Sequence, residues 1–262
     1  LNRGKGVRFL RKQGITVLVG VLEKEACELN EGFLKHIMEK RPFVTLKMAQ
    51  TLDGKIATRT GRSRWISSPS SRQFVHELRA VHDAVLVGKN TFHLDDPQLT
   101  VPKGSRSLSY GKPWKVALID AKRWSSKARL FADDRLTILV FPEKYLGRLV
   151  KKAENQTGML MLLPLREKRG RIDVRELLKK LAQLGVTKLL VEGGGELAWS
   201  FLEAGCVDRA YWILAPKVFG GRDAKTSVEG LGVKTPDHAF LFETEKVTRS
   251  GDDWIFEGSF HK

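Results

Sequence analysis

The sequence predicts an α/β protein in which a largely parallel sheet is flanked by helices. Short apolar runs of strand length alternate with segments of helical period through most of the 262 residues. A hydrophobic fraction of 42% supplies enough apolar surface for a large core. The last run, residues 254–260, alternates apolar and polar side chains, which indicates an antiparallel hairpin at the C-terminal end.

The first half of the chain contains three predicted strands and two predicted helices. Glycines bound the first apolar run, Pro42 separates the first helix from the second strand, and Pro69 lies in the first turn of the second helix. The predicted strands are residues 15–19, 43–49 and 83–88, and the predicted helices are residues 23–38 and 67–81.

The second half continues the alternation. Gly185 closes one helix, and Gly205 closes the next. The predicted strands are residues 115–120, 136–141, 159–163, 188–191, 207–216 and 254–260, and the predicted helices are residues 145–152, 174–184 and 196–204.

Three glycines join a predicted strand to a predicted helix. Glu192 stands where the strand ends, and Gly193–Gly195 lead into a helix with Leu197 and Phe201 on one face. Glycines let the backbone approach a ligand closely, and the N–H groups that open a helix attract phosphate. A tight turn without a ligand has the same pattern, so these residues alone leave both interpretations open.

Lys47 is a charge inside the predicted buried strand of residues 43–49. A charge inside an apolar strand costs several kcal/mol unless it is paired or reaches a ligand. This lysine therefore lies either at an active cleft or on an edge strand, and its apolar neighbours favour the cleft.

Other candidates are weaker. Gly88–Thr91 turns a strand into a helix and offers a second backbone cradle for phosphate. Asp53 belongs to an Asp-Gly turn and is predicted to form that turn rather than to catalyse. His76 and His82 are predicted to be ordinary helical residues, because no second ligand type stands at metal-binding spacing with them.

The formal charge of +16 suits a nucleic-acid binder or an enzyme that handles several phosphates. Lysines and arginines are scattered among acids, so no nucleic-acid partner is predicted. No membrane-length apolar run is present, and two distant cysteines fit a cytoplasmic location. Without a nucleophile elbow or a metal-ligand cluster, cofactor-borne hydride transfer is predicted, with Lys122 and Arg123 as candidates for a cofactor 2′-phosphate.

Taken together, the motifs resemble the reductase domain of the bifunctional riboflavin-biosynthesis deaminase/reductase family over residues 41 to about 260. The resemblance implies a dihydrofolate-reductase-like fold, NADPH as cofactor, and reduction of the ribosyl group of 5-amino-6-(5-phosphoribosylamino)uracil to a ribityl chain. The matching pieces follow in the family's order: residues 41–47, Ser63-Arg64-Trp65-Ile66, Leu78-Arg79-Ala80, residues 83–88, Thr91, residues 95–100, Val191-Glu192-Gly193-Gly194 and Ala215-Pro216-Lys217.

The same resemblance implies the roles of individual residues. Our own mechanistic hypothesis adds Lys47 and Asp95 as catalytic residues: with water, they are the candidates for proton balance when a hydride reaches the opened sugar. The implied cofactor residues are Ala49, Trp65, Thr91, Asp95, Gly194, Gly195, Glu196, Leu197, Ala198, Trp199 and Ser200. The implied substrate residues are Ser63, Arg79, Leu99 and Glu192, with Arg79 expected to grip the phosphate in a fork. No metal is implied for this domain.

The sequence departs from the family in two places. Pro102 stands where an arginine is usual, so Lys103 or Arg106 replaces its charge or phosphate binding is weaker. The zinc ligands of the deaminase are missing, and residues 1–39 resemble only the closing end of that domain. We expect a reductase at residues 40–262 that does not deaminate and forms a homodimer. The alternatives are a pterin or folate reductase of the same fold and a non-catalytic nucleotide- or RNA-binding relative.

Overall fold

A computed structural model describes residues 4–101, 112–154, 158–168 and 170–261. The strands in these residues are β1 (Phe43–Thr51), β2 (Ala84–Val87), β3 (Trp114–Leu118), β4 (Thr137–Pro142), β5 (Leu160–Leu165), β6 (Glu167–Lys168), β7 (Arg171–Ile172), β8 (Lys188–Glu192), β9 (Arg209–Ala215), β10 (Leu241–Ser250) and β11 (Asp253–His261). The helices are α1 (Lys5–Lys12), α2 (Glu23–Leu29), α3 (Glu31–Glu39), α4 (Pro69–Ala80), α5 (Leu146–Ala153), α6 (Val174–Gln183) and α7 (Gly195–Glu203), with a π-helical turn at Thr91–Asp95 and 3-10 turns at Arg129–Phe131, Glu143–Tyr145 and Pro236–His238.

Nine strands form one sheet in the order β10-β11-β9-β1-β8-β2-β3-β4-β5. The seven strands from β9 to β5 are parallel, and β11 pairs antiparallel with both β9 and β10. The predicted fold class, a mostly parallel sheet flanked by helices with a C-terminal antiparallel hairpin, is confirmed. A separate small hairpin of β6 and β7, which the sequence pattern did not predict, follows β5.

Both faces of the sheet are buried, and successive residues of each central strand serve opposite faces. In β8, Leu189 and Val191 join the core under α6 and α7, whereas Leu190 joins the core on the other face with Leu78 of α4 and Leu149 of α5. This double burial explains why the central strands read as continuous apolar runs rather than as alternating ones.

Local capping fixes where two of the helices begin. The Ser68 side chain accepts from Ser71 N at 3.2 Å, with Pro69 as the first residue of α4. The Asp173 carboxylate accepts from the N–H groups of Arg175 and Glu176 at the start of α6. The two helices pack on opposite faces of the sheet, with Leu177 of α6 in one core and Leu78 of α4 in the other.

The N-terminal predictions need correction. Residues 15–19 do not form a strand, and Leu18 and Val19 are 79% and 70% exposed. The predicted helix of residues 23–38 is two helices, α2 and α3, which meet at Asn30. An apolar run bounded by glycines has the pattern of a strand, but a strand also requires a neighbour for its backbone hydrogen bonds.

Ion pairs tie α3 to the sheet. Glu31 pairs with Lys188 and Arg209, each at 3.0 Å, and Lys35 pairs with Asp208 at 3.0 Å. Asp208 also accepts a two-pronged contact from Arg41. The packing therefore continues across residue 39, and the division of the chain at residues 39 and 40 stays a prediction.

Candidate active site

A cavity of about 890 Å³ lies at the carboxyl ends of the parallel strands. It is bordered by Lys47 and Ala49 of β1, Glu192 of β8 and the residues that end β2, β3 and β4. In open α/β sheets this edge is the usual place for ligands, because the turns that leave the strands meet there. The cleft position favoured for Lys47 by its apolar neighbours is the one that the structure shows.

Three charged side chains that border the cavity, Lys47, Arg79 and Glu192, form what we call the cavity cluster. Arg79 of α4 donates through Nε and Nη2 to the two Glu192 oxygens at 2.5 and 3.0 Å. Lys47 Nζ lies 3.5 Å from Glu192 Oε2. The parallel register that pairs Lys47 with Glu192 places the lysine and the carboxylate at the same level of the sheet.

Burial and charge act against each other in the cavity cluster. Burial alone would raise the pKa of Glu192, but Arg79 and Lys47 outweigh it and bring the pKa to about 2. Burial lowers the pKa of Lys47, and the Glu192 carboxylate opposes that shift only in part. Glu192 is therefore an anion at neutral pH, and the ammonium of Lys47 releases its proton more readily than an exposed lysine does.

The guanidinium of Arg79 has partners within the protein. Its Nε and Nη2 are used by Glu192, and its Nη1 donates to the Thr100 carbonyl at 3.0 Å. The N–H groups of Arg79 that were predicted to bind a substrate phosphate thus donate to Glu192 and Thr100 in this structure. His76 Nδ1 lies 2.8 Å from the same Thr100 carbonyl, so α4 holds this loop residue with two side chains.

A second group of predicted residues also lines the cavity. Ser63 Oγ donates to Asp95 Oδ1 at 3.1 Å, and Arg64 donates to the Asp95 carbonyl. Trp65 is 62% exposed, and the guanidinium of Arg72 lies 4.5 Å from its ring centre. Thr91 and Asp95 begin and end the π-helical turn that follows β2. An aromatic face and a carboxylate thus border one side of the cavity.

The glycine triplet has three different surroundings. A Cβ on Gly195 would lie 2.6 Å from the Thr226 carbonyl, and one on Gly193 would lie 2.9 Å from Leu197. Gly194 has only Ile56 within 4 Å. Packing therefore demands Gly195, because a backbone carbonyl stands where its Cβ would be, whereas a Cβ on Gly193 would only displace the end of the Leu197 side chain. Gly194 borders the cavity where α7 begins, and the first N–H groups of a helix have no partner within the helix.

The cavity brings together all but two of the residues that the family resemblance implies for cofactor and substrate. Ala198 and Trp199 lie outside its lining and are buried among core residues, with the Trp199 ring 5.9 Å from that of Phe240. Helical geometry turns these two positions away from the cavity while Glu196, Leu197 and Ser200 border it. Lys122 and Arg123, predicted for a 2′-phosphate, are also outside the lining. Pro102, Lys103 and Arg106 lie outside the described residues.

Several cavity residues were missed from the sequence. Arg171 of the β6–β7 hairpin borders the cavity and pairs with Glu196 at 3.1 Å, and Lys225 and Glu229 approach from the loop after β9. Arg171 follows the turn at Gly170, which was a usable signal for a hairpin. The loop residues carry no motif of their own.

Within the described ranges, no helix has both the length and the apolar character needed to cross a membrane. In the same part of the chain, no three His, Cys, Asp or Glu side chains are grouped so that they could hold a metal ion.

Comparison with known proteins places these observations in a family. The RibD C-terminal domain matches residues 42–256. The riboflavin biosynthesis protein RibD of Aquifex aeolicus is 39% identical over 256 residues, which are 97% of this chain and 68% of that protein. A 2,5-diamino-6-ribosylamino-4(3H)-pyrimidinone 5′-phosphate reductase of Methanothermobacter thermautotrophicus is 36% identical, covering 83% of this chain and 97% of the relative.

Solved structures agree with the sequence relatives. The structure of Acinetobacter baumannii RibD superimposes with a TM-score of 0.82 and 28% identity, over 99% of this chain and 69% of that one. The Thermotoga maritima deaminase/reductase superimposes with a TM-score of 0.79 and 30% identity, over 98% and 67%. The resemblance seen in the motifs is confirmed, and this chain belongs to the RibD C-terminal domain family.

Proposed function

We propose that this chain is an NADPH-dependent reductase that converts the ribosyl group of 5-amino-6-(5-phosphoribosylamino)uracil to a ribityl group. The observation that carries the proposal is the cavity cluster, in which Lys47 and Glu192 meet at the strand ends beside the α7 turn. Family membership supports the same reaction, because relatives of this chain carry riboflavin-biosynthesis and reductase names.

The cavity fits a dinucleotide with phosphates. Gly194 leaves room for a ligand at the N-terminus of α7, where helix N–H groups favour an anion. Lys89 and Thr91 supply polar groups to the cavity after β2. Arg171 and Lys225 add positive charge to the same cavity from the β6–β7 hairpin and from the loop after β9. Arg171 is a better candidate than Lys122 or Arg123 for the 2′-phosphate, because it borders the cavity. Bound NADPH supplies a hydride.

The protein's own side chains orient the sugar and handle protons. Glu192 accepts hydrogen bonds from ribose hydroxyls, while Arg79 holds that carboxylate in place. When the ribosylamine opens to an imine and its C1 receives a hydride, the adjacent nitrogen needs a proton. Lys47 provides it, since its lowered pKa makes the ammonium a stronger acid. Asp95 accepts a hydrogen bond from Ser63, which orients its carboxylate. It contacts the cofactor and is the second candidate for proton balance.

The test is an assay of NADPH oxidation with 5-amino-6-(5-phosphoribosylamino)uracil beside three comparisons. The first replaces NADPH with NADH, the second uses the 2,5-diaminopyrimidinone analogue on which the archaeal relative is named to act, and the third uses dihydrofolate. We expect turnover with the uracil substrate and a lower KM for NADPH than for NADH. Turnover with dihydrofolate alone would contradict the proposal. NADPH binding without turnover would support the non-catalytic alternative.

The remaining expectations from the sequence stay predictions. These are a cytoplasmic location, a homodimer without a nucleic-acid partner, and a boundary near residue 39 between the reductase and the end of a deaminase domain. Exposed apolar side chains such as Leu29 and Met38, at 82% and 78% exposure, supply surface that a partner subunit would cover. Sedimentation of the purified chain tests the dimer directly.

A further inference from the structure

The loop that carries Leu99 has an unusual backbone. Asp96 and Leu99 have φ angles of 42° and 52°, in the left-handed region that residues with a side chain enter only at a cost. Such a conformation persists when surrounding contacts impose it. We call residues Asp96–Thr100 the substrate loop, because Leu99 is assigned to the substrate above and residues 97–100 border the cavity.

Arg135 donates two hydrogen bonds to this loop from outside the cavity lining. Its Nη1 donates to the Leu99 carbonyl at 2.8 Å, and its Nη2 donates to the Gln98 carbonyl at 3.0 Å. The Arg135 side chain is 3% exposed and does not border the cavity. It therefore acts on the loop and not on a ligand.

A half-buried carboxylate fixes the guanidinium. Asp133 accepts from Arg135 Nε at 3.1 Å and from Nη2 at 2.8 Å, and Lys115 of β3 donates to Asp133 at 2.7 Å. We call Lys115, Asp133 and Arg135 the rear cluster. The planar guanidinium can contact a carboxylate and two carbonyls at once, which a lysine ammonium on a flexible stem does not reproduce.

The direction of the carbonyls determines what the loop offers. In a trans peptide the C=O and the following N–H point opposite ways. Because the Gln98 and Leu99 carbonyls point at Arg135, the N–H groups of Leu99 and Thr100 point away from it. The next carbonyl, that of Thr100, is held by Arg79 and His76. The loop thus lies between side chains that fix its carbonyls in sequence.

We infer that Arg135 is a positioning residue for substrate binding, which sets the backbone of the substrate loop through the Gln98 and Leu99 carbonyls. The inference rests on the proposed function, because it assigns the loop to the phosphorylated substrate rather than to NADPH. It adds a residue that lies 36 positions beyond Leu99 in the chain and touches neither ligand.

The experiment compares the wild type with Arg135→Lys, Arg135→Met and Lys115→Met. Lys115→Met is the matched control, since it removes a buried cation from the rear cluster but no contact with the loop. We expect both Arg135 variants to raise the KM for the phosphoribosylaminouracil by about 10-fold, with the KM for NADPH within about 2-fold of the wild type. Lys115→Met should leave both KM values within about 2-fold. Arg135→Lys keeps the charge beside Asp133, so it tests the role even where Arg135→Met fails to fold.

Hydrogen exchange of the peptide that covers residues 96–101 gives a readout that needs no turnover. Exchange should be about 10-fold faster in Arg135→Lys and unchanged in Lys115→Met. If wild type and variants all lack activity while exchange differs in this way, the proposed function fails but the positioning of the loop by Arg135 stands. Equal effects of Arg135→Lys and Lys115→Met on KM, or an unchanged exchange rate in Arg135→Lys, would overturn the inference.

Discussion

The cavity cluster and the rear cluster have the same composition, two cations and one carboxylate, but they satisfy their charges differently. In the rear cluster, Lys115 donates to Asp133 and to the Leu130 carbonyl, and Arg135 contacts one carboxylate and two carbonyls. In the cavity cluster, the polar contact described for Lys47 Nζ is Glu192 at 3.5 Å. The rear cluster is closed, in the sense that its cations donate to protein oxygens. The cavity cluster is open, because Lys47 borders the cavity and keeps N–H groups for a ligand.

The difference separates a structural role from a chemical one. Buried charges are expensive unless all their hydrogen-bonding capacity is used, so a closed cluster serves the fold. A lysine that is held at 3.5 Å from its counter-ion retains N–H groups for a ligand. Removal of the lysine from each cluster should therefore affect different properties.

The largest expected effect is that of Lys47→Met on turnover. A positioned general acid contributes roughly 100- to 10,000-fold to rate, so we expect kcat to fall by about 1,000-fold. The KM for NADPH should change little, because the cofactor site that we propose lies at the α7 turn. Steady-state NADPH oxidation with the phosphoribosylaminouracil measures both constants.

Lys115→Met is the matched change in the rear cluster. It should lower the melting temperature while kcat stays within about 3-fold of the wild type, because Lys115 does not border the cavity. Full turnover in Lys47→Met, or an equal loss in both variants, would show that the two clusters do not differ in the way described.

The sequence was sufficient for most of the sheet and for choosing the three residues of the cavity cluster, but not for their pairing. Lys47 stood out because a charge within an apolar strand needs a reason, and Glu192 because it ends a strand before three glycines. Family motifs added Arg79 and Asp95. The regular β-α alternation also predicted the parallel sheet, since short turns and helical crossovers leave few other arrangements.

Long-range contacts explain what the sequence did not reveal. Arg135 follows a polar turn and has no local pattern, so its contact with Leu99 depends on how β4 enters the sheet. The need for glycine at position 195 comes from the Thr226 carbonyl, which approaches from a loop about 30 residues later. The strand predicted at residues 15–19 was wrong for the opposite reason. Its local pattern was strong, but a strand also needs a neighbouring strand, which is a tertiary feature that the local pattern does not contain.

A smaller effect is expected from Glu192→Gln. Glutamine keeps the shape and one acceptor but removes the charge between Arg79 and Lys47, so substrate hydroxyls are bound less well. The KM for the phosphoribosylaminouracil should rise by about 10-fold, and kcat should fall by no more than about 3-fold. Glu192→Asp keeps the charge but shortens the side chain by one methylene, so its KM should lie between those of the wild type and Glu192→Gln. A fall in kcat that exceeds the rise in KM would assign Glu192 to the chemical step instead.

The smallest expected effect is the change in unfolding free energy caused by Glu192→Gln, and this change depends on pH. Because the pKa of Glu192 is about 2 in the folded state and 4.5 is its ordinary value, the carboxylate stabilises the fold above pH 4.5. That contribution is lost as the pH falls from 4.5 toward 2. Gln keeps an acceptor for Arg79, so at neutral pH the wild type should exceed Glu192→Gln by only about 1 kcal/mol in unfolding free energy.

Urea unfolding at a series of pH values measures this difference. It should be largest at neutral pH and should shrink as the pH falls from 4.5 toward 2, because the unfolded chain takes up the proton at higher pH than the folded protein does. Both proteins should still lose stability in acid, because the pKa of Asp133 in the rear cluster is also far below its usual range: burial would raise it, but Arg135 and Lys115 outweigh burial. A constant difference between the two proteins at all pH values would mean that Glu192 is not held as an anion by the cavity cluster.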